Sequence, residues 1–235
     1  GNHPPFASIE ACEIVGDPDE DTEWTEVLPK SPLQPGSQNL FEIHPTKRYT
    51  HLRLQIYPDG GVARLRVYGE VSVNWSQFTR GELIDLAAVQ NGGQVLLCND
   101  MFFGPKDNLI MPGRGVNMGD GWETRRKRKL PGFDWCVIAL GHRGIIRKIE
   151  LDTAHFKGNY PDRASIEAIE AVSGDLLKKL ESAPWKQLLP EQKLQADQQH
   201  FYEKEILAVG PETHVKLNII PDVGVSRLRI WGELA

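Results

Sequence analysis

Cysteine is scarce. The three present, Cys12, Cys98 and Cys136, are odd in number and far apart. That excludes a disulfide framework and any C-x-x-C metal knuckle. The thiols read as small buried hydrophobes of a reducing compartment, so a cytoplasmic protein is expected. A run of 18 apolar residues is also lacking, so no helical membrane span is expected. Gly1-Asn2-His3-Pro4-Pro5 has neither the charged nor the apolar region of a secretion signal, and none is expected. There is no excess of basic charge. Lys and Arg number 27 against 32 Asp and Glu, a net charge of −5 that argues against a dedicated nucleic-acid binder. The phosphate loop G-x-x-x-x-G-K-[ST], the zinc helix H-E-x-x-H and the nucleophile elbow G-x-S-x-G are all missing. With 40% hydrophobic and 25% charged residues the chain is neither disordered nor fibrous.

What is there is a repeat. Residues 1–14 (GNHPPFASIEACEI) and 158–171 (GNYPDRASIEAIEA) agree at nine of 14 positions, at an offset of 157. Residues 50–71 and 213–234 agree at 13 of 22, at an offset of 163. Between these blocks Trp24 and Leu28-Pro29 match Trp185 and Leu189-Pro190, at an offset of 161. The same order with a small drift means one unit twice, with loop insertions in the second copy. The segment 81–157 has no counterpart ahead of Gly1, so the first copy is expected to lack its beginning. The organisation read from this is 1–72, the C-terminal half of a first repeat; 73–80, a linker; and 81–235, a complete second repeat.

The local pattern is that of strands. Leu52, Leu54 and Ile56 alternate with Arg53 and Gln55, the period of a half-buried strand. Pro58-Asp59-Gly60-Gly61 is turn chemistry, and Leu65-Arg66-Val67-Tyr68 follows. Residues 50–69 are therefore expected to form a hairpin, repeated at 213–232 about Pro221-Asp222-Val223-Gly224. Further strands are expected at 95–98, 136–140, 145–151 and 164–169, with Gly141-His142-Arg143-Gly144 as a turn. One peripheral helix is expected at 174–182, with Leu176, Leu177 and Leu180 on one face. Many short strands with Gly and Pro punctuation favour a sandwich or barrel.

Two clusters carry chemistry. The glycine-rich loop 113–119 leads into Asp120-Gly121-Trp122-Glu123-Thr124-Arg125-Arg126. This brings two acids, an indole and two guanidiniums within seven residues. Arg grips a carboxylate through two parallel hydrogen bonds, and a neighbouring acid can hold a proton or a metal. The bland reading of the same segment is a solvated charge ladder on a surface strand. The basic run 125–129 would also suit a nucleic-acid patch, but the net charge and the lack of interleaved aromatics argue against it. The second cluster is Asp152 to Pro161; it holds His155, and histidine is the side-chain type whose unperturbed titration falls nearest neutral pH. His51/His214, Glu10/Glu167, Arg66/Arg229 and Glu70/Glu233 occupy matching places in the two copies, so they are read as fold residues.

Asn99-Asp100-Met101-Phe102-Phe103-Gly104-Pro105, Gly119-Asp120-Gly121-Trp122-Glu123-Thr124-Arg125-Arg126, Asp134-Trp135-Cys136 and His155-Phe156-Lys157-Gly158-Asn159-Tyr160-Pro161, in that order, resemble the allantoicase family. The resemblance covers essentially the whole chain. It implies an all-β fold, tandem jelly-roll β-sandwiches of the galactose-binding type, here with the first incomplete. It also implies a hydrolase of purine and allantoin degradation that converts allantoate and water to ureidoglycolate and urea. Its substrate, a small anionic ureide, calls for an anion clamp, an acid–base pair and amide-binding groups. Glu123 and His155 are the expected proton-transfer residues. Arg125 or Arg126 would bind the carboxylate, with Arg125 favoured because it shares a strand face with Glu123. Asp120, Trp122 and Asn159 would complete the substrate site. Asp, Glu and His can ligate a divalent metal ion, but no spacing demands one. A homo-oligomer fits the family. The competing readings are a catalytically silent relative acting as an interaction module, and a carbohydrate-binding module using Trp75, Trp122 or Trp231 as exposed platforms.

Overall fold

Alternating apolar residues build the first unit. The computed structural model describes residues 1–44, 47–128 and 131–235 and divides into Gly1–Gly69 and Glu70–Ala235. In the first unit β1 (Phe6–Cys12), β2 (Thr25–Pro32) and β3 (His51–Tyr57) form an antiparallel sheet in the order β2-β1-β3. Ala7, Ile9 and Ala11 stand opposite Ile56, Leu54 and Leu52, so one face is apolar. The other face carries Glu10 bonded to Arg53 (2.8 Å) and to Gln55, with the Arg53 guanidinium 4.4 Å from the Trp24 ring centroid.

The second unit repeats and completes this pattern. Its strands are β4 (Ile84–Asp85), β5 (Gln94–Cys98), β6 (Trp122–Glu123), β7 (Asp134–Asp152), β8 (Arg163–Ile169), β9 (Lys186–Lys193), β10 (Gln199–Tyr202), β11 (Glu212–Ile220), β12 (Gly224–Val225) and β13 (Arg227–Leu234). The main sheet runs β4-β13-β7-β11-β8-β9, with β5 and β10 also on β7. β8 and β11 repeat β1 and β3, and the outer polar ladder returns as Glu167 with Lys216 and Asn218, both 3.0 Å, with Lys216 near Trp185. The matching glutamates are thus sheet residues, as their occurrence in both copies implied.

β7 organises the sandwich. Its first half pairs with β5 and β11, and its second half pairs with β13 and β10. One strand therefore joins two layers around a single core. That core holds Cys136, Ile138, Leu217 and Ile166 from one side and Ile149, Leu151, Leu228 and Ile230 from the other. The expected turn at 141–144 is instead part of this continuous strand. Gly141 permits a close backbone approach: a Cβ there would lie 1.7 Å from the Asn91 carbonyl oxygen.

Neither expected hairpin forms. β11 and β13 are separated in the sheet by β7, and of the two strands expected in 50–69 only β3 forms, residues 62–71 being irregular. The helix is shorter than expected: α1 (Ser173–Lys178) continues as a 3₁₀ turn, Leu180–Ser182. Its Leu176 is buried in a satellite cluster with Val137 and Ile169, while Leu177 is exposed. Residues 75–77 form a 3₁₀ turn, and Trp75 and Phe78 pack on the core of the second unit.

Candidate active site

A buried phenylalanine joins three separate segments. Phe156 is fully buried, and its ring lies where a Cβ on Gly224 (2.0 Å) or on Gly121 (2.7 Å) would sit. Only glycine permits this approach, so the segment 119–126, the loop 153–161 and the turn 221–226 close on one ring. β6 and β12 then pair, Glu123 opposite Gly224, and the Gly224 N–H donates to the Asn159 carbonyl at 2.9 Å. The turn at 221–226 is a member of this site that sequence reasoning missed. Its only sequence signal was turn chemistry.

On this scaffold the Asn159 amide donates to the Glu123 carboxylate at 2.6 Å. Beside them Arg126 reaches the Gly158 carbonyl at 3.5 Å and has no acidic partner among the described residues. Arg125 is engaged elsewhere. Its Nε is 3.3 Å from Asp100 Oδ2, and its guanidinium lies 4.3 Å from the Phe102 ring centroid. Burial alternates through Trp122, Glu123, Thr124 and Arg125, so Glu123 and Arg125 do lie on the outward side. Lys127 of the basic run is bound to Asp134 (2.5 Å), and Lys129 lies outside the described residues.

His155 sits at φ 71°, a conformation uncommon outside glycine. Its backbone N–H donates to Asp197 (2.7 Å), and ring Nε2 is 2.8 Å from the Gly115 carbonyl. A carbonyl only accepts, so Nε2 carries the proton and Nδ1 is the nitrogen left for exchange. Asp120 braces its own loop: its carboxylate accepts from the Val116 N–H at 2.8 Å. Trp122 is not available to a substrate. It is fully buried, with its indole N–H on the Asp100 carbonyl at 2.8 Å, because the inward positions of this short strand face the core.

Arginines from β13 hold the glycine-rich loop. Arg227, nearly buried, donates to the carbonyls of Gly113 (3.2 Å), Asp120 (2.6 Å) and Ser226 (2.8 Å). Burial, reinforced by Arg229 nearby, pulls its guanidinium below the ordinary arginine value. Arg229 donates to Met111 and Gly113, both at 2.6 Å. The loop is thereby pinned by its backbone, which explains how seven residues of flexible composition can present Gly115 to His155. Buried Asp152 pairs with Arg114 at 3.2 Å. Asp152 opens the second cluster and Arg114 lies in the glycine-rich loop, whereas Arg229 was read as a fold residue and Arg227 was not singled out; no sequence signal marked the two β13 arginines as loop clamps.

Among the described residues no three His, Cys, Asp or Glu side chains converge as a metal ion requires. They do not fit a resident divalent ion. Of the three tryptophans, Trp75 packs at a tilt against His142 with ring centroids 4.9 Å apart, Trp122 is buried, and Trp231 lies beneath Lys148, whose Nζ is 5.4 Å from its ring centroid. None is an exposed sugar platform.

Fold and site together define an all-β sandwich protein with a candidate acid–amide site among its loops. The family described as allantoicase repeat matches residues 1–72 and 84–235. The chain is 55% identical to a probable allantoicase of Ralstonia nicotianae, over all of this chain and 70% of the relative. It is 54% identical to a probable allantoicase of Pseudomonas fluorescens, over all of this chain and 71% of that protein. Among solved structures, Saccharomyces cerevisiae allantoicase superimposes with a TM-score of 0.77 at 41% identity, covering 99% of this chain and 69% of that one. The chain belongs to the allantoicase family.

Proposed function

We propose that this chain hydrolyses allantoate to ureidoglycolate and urea at the loop end of its second repeat. The observation that carries this reading is the Glu123–Asn159 hydrogen bond at 2.6 Å beside the Arg126 guanidinium, which lacks an acid partner among the described residues. Allantoate bears one carboxylate and two ureido groups on one carbon. Arg126 binds the carboxylate, a task for which Arg125 is less suited because Asp100 already neutralises it. Asn159 and Asp120 supply amide-complementary groups. Glu123 and His155 share the proton transfers: one takes a proton from water as the central C–N bond breaks, and the other gives a proton to the departing urea nitrogen. His155 acts through Nδ1.

The repeats are read as 1–72 and 81–235, joined by 73–80. The family match and the division at Gly69/Glu70 support this reading. No helix among the described residues is long and apolar enough to cross a membrane. Three unbridged cysteines support a cytoplasmic setting. Exposed Leu65, Val67 and Tyr68 support self-association, measurable by light scattering.

Urea release from allantoate tests the reaction. Arg126→Ala raises KM far more than Arg125→Ala, and His155→Ala lowers kcat by about 10²–10⁴-fold. A wild-type kcat in His155→Ala together with a wild-type KM in Arg126→Ala removes this assignment.

A further inference from the structure

Cys98 ends β5 and Cys136 lies near the start of β7; they are directly opposed in the sheet register. The Asn99 N–H donates to the Trp135 carbonyl at 3.2 Å, one rung beyond the pair. The two cysteines therefore occupy a non-hydrogen-bonded position, where opposed Cα atoms stand about 4.5 Å apart with their side chains on the same face. That spacing falls within the roughly 4.4–6.8 Å range spanned by disulfides. Cys136 is fully buried, whereas Cys98 is half-buried on a strand whose only partner among the described residues is β7. An oxidant can reach one thiol and the other waits behind it.

We propose that Cys98 and Cys136 are an oxidation site that closes to a cross-strand disulfide with a low-molecular-weight disulfide such as oxidised glutathione. The Cys98 thiolate attacks one oxidant sulfur, the oxidant S–S bond breaks, and the first glutathione leaves as a thiolate. The Cys136 thiolate then attacks the Cys98 sulfur and expels the second. Two protein thiols lose two electrons and two protons; the oxidant gains both as two glutathione thiols. The bridge encloses residues 99–135, the excursion that carries Asp100, Asp120, Glu123, Arg125 and Arg126. Asn99 already fastens its base, donating to Phe133 (3.2 Å) and Asp134 (3.0 Å) and accepting from the Trp135 N–H (2.8 Å). The disulfide adds a covalent rung directly beneath these bonds.

Burial pushes the Cys98 thiol up, and it pushes Cys136 up further with Cys98 beside it, so the reaction is slow at neutral pH and accelerates in alkali. The test incubates the folded chain with oxidised glutathione, then applies acid quench, alkylation and peptide mass spectrometry. Expected are a loss of two of the three thiols, a direct link between the Cys98 and Cys136 peptides, and a rate roughly tenfold higher at pH 8 than at pH 7. Cys98→Ser and Cys98→Val both spare Cys136, and Cys12→Ser changes nothing. A persistent glutathione adduct on Cys98 with Cys136 still reduced overturns the proposal. So does a folded chain that stays fully reduced while the urea-unfolded chain oxidises.

Discussion

Residues 64–71 read Arg-Leu-Arg-Val-Tyr-Gly-Glu-Val and residues 227–234 read Arg-Leu-Arg-Ile-Trp-Gly-Glu-Leu, yet only the second is a strand. Leu228 and Ile230 are fully buried, while Leu65 and Val67 are 48% and 56% exposed. The difference is the neighbour. β13 lies against the second half of β7 and caps a core filled from both layers. No described strand stands beside 64–71. The inner face of the sheet tells the same story: Leu217 is fully buried, its counterpart Leu54 only half-buried, and Leu52 39% exposed. A strand is stabilised by its ladder partner and by the face it buries, and propensity alone supplies little of either.

Hydrogen exchange is the sharpest way to break this comparison. The amides of 228–233 should exchange at least about 10³-fold more slowly than those of 65–70, since core strands open only with the whole domain. Equal protection would mean that the first copy has found a partner. The next largest contrast is catalytic. Glu123→Gln should lower kcat for urea release by about 10²–10⁴-fold. Glu10→Gln, which touches only the outer polar ladder of the first copy, should leave it unchanged. Third, Leu217→Ala should cost about 2–5 kcal/mol in denaturant unfolding, and Leu54→Ala clearly less, because a half-exposed site has less contact to lose.

The smallest effect concerns pH. His214 sits between the hydroxyls of Thr213 and Ser173, both at 2.8 Å, and burial holds its imidazole below the ordinary histidine value. The unfolded chain therefore takes up this proton first. Stability is full above about pH 6.5 and declines as pH falls through the folded value. Thermal unfolding of His214→Gln should show a shallower loss between pH 7 and pH 5 than the parent.

Much of this was legible without coordinates. The repeat predicted that β1 and β8 are equivalent, and Glu10 and Glu167 do hold matching cations beside matching tryptophans. Pattern also located β5 and β8, because each is short and bounded by turns. It failed at 141–144, where two glycines read as a turn. A close backbone approach, not chain reversal, is what requires Gly141. The candidate site was legible in part: Glu123 and Asn159 are hydrogen-bonded and Arg126 reaches the neighbouring Gly158 carbonyl, but the partner that occupies Arg125 is Asp100, 25 residues earlier. The loop clamps Arg227 and Arg229 lie more than 100 residues from the carbonyls of the glycine-rich segment that they hold. Such pairings leave no local trace.

The sequence alone determined the doubled unit, its alternation of apolar and polar faces, and the family whose motifs it carries. These are properties of neighbours along the chain, and period and identity can be read there. Only the tertiary structure decided which copy of the same words becomes a strand, which arginine an acid takes up, and which tryptophan is buried. Each of those depends on what folds back against the residue from far away.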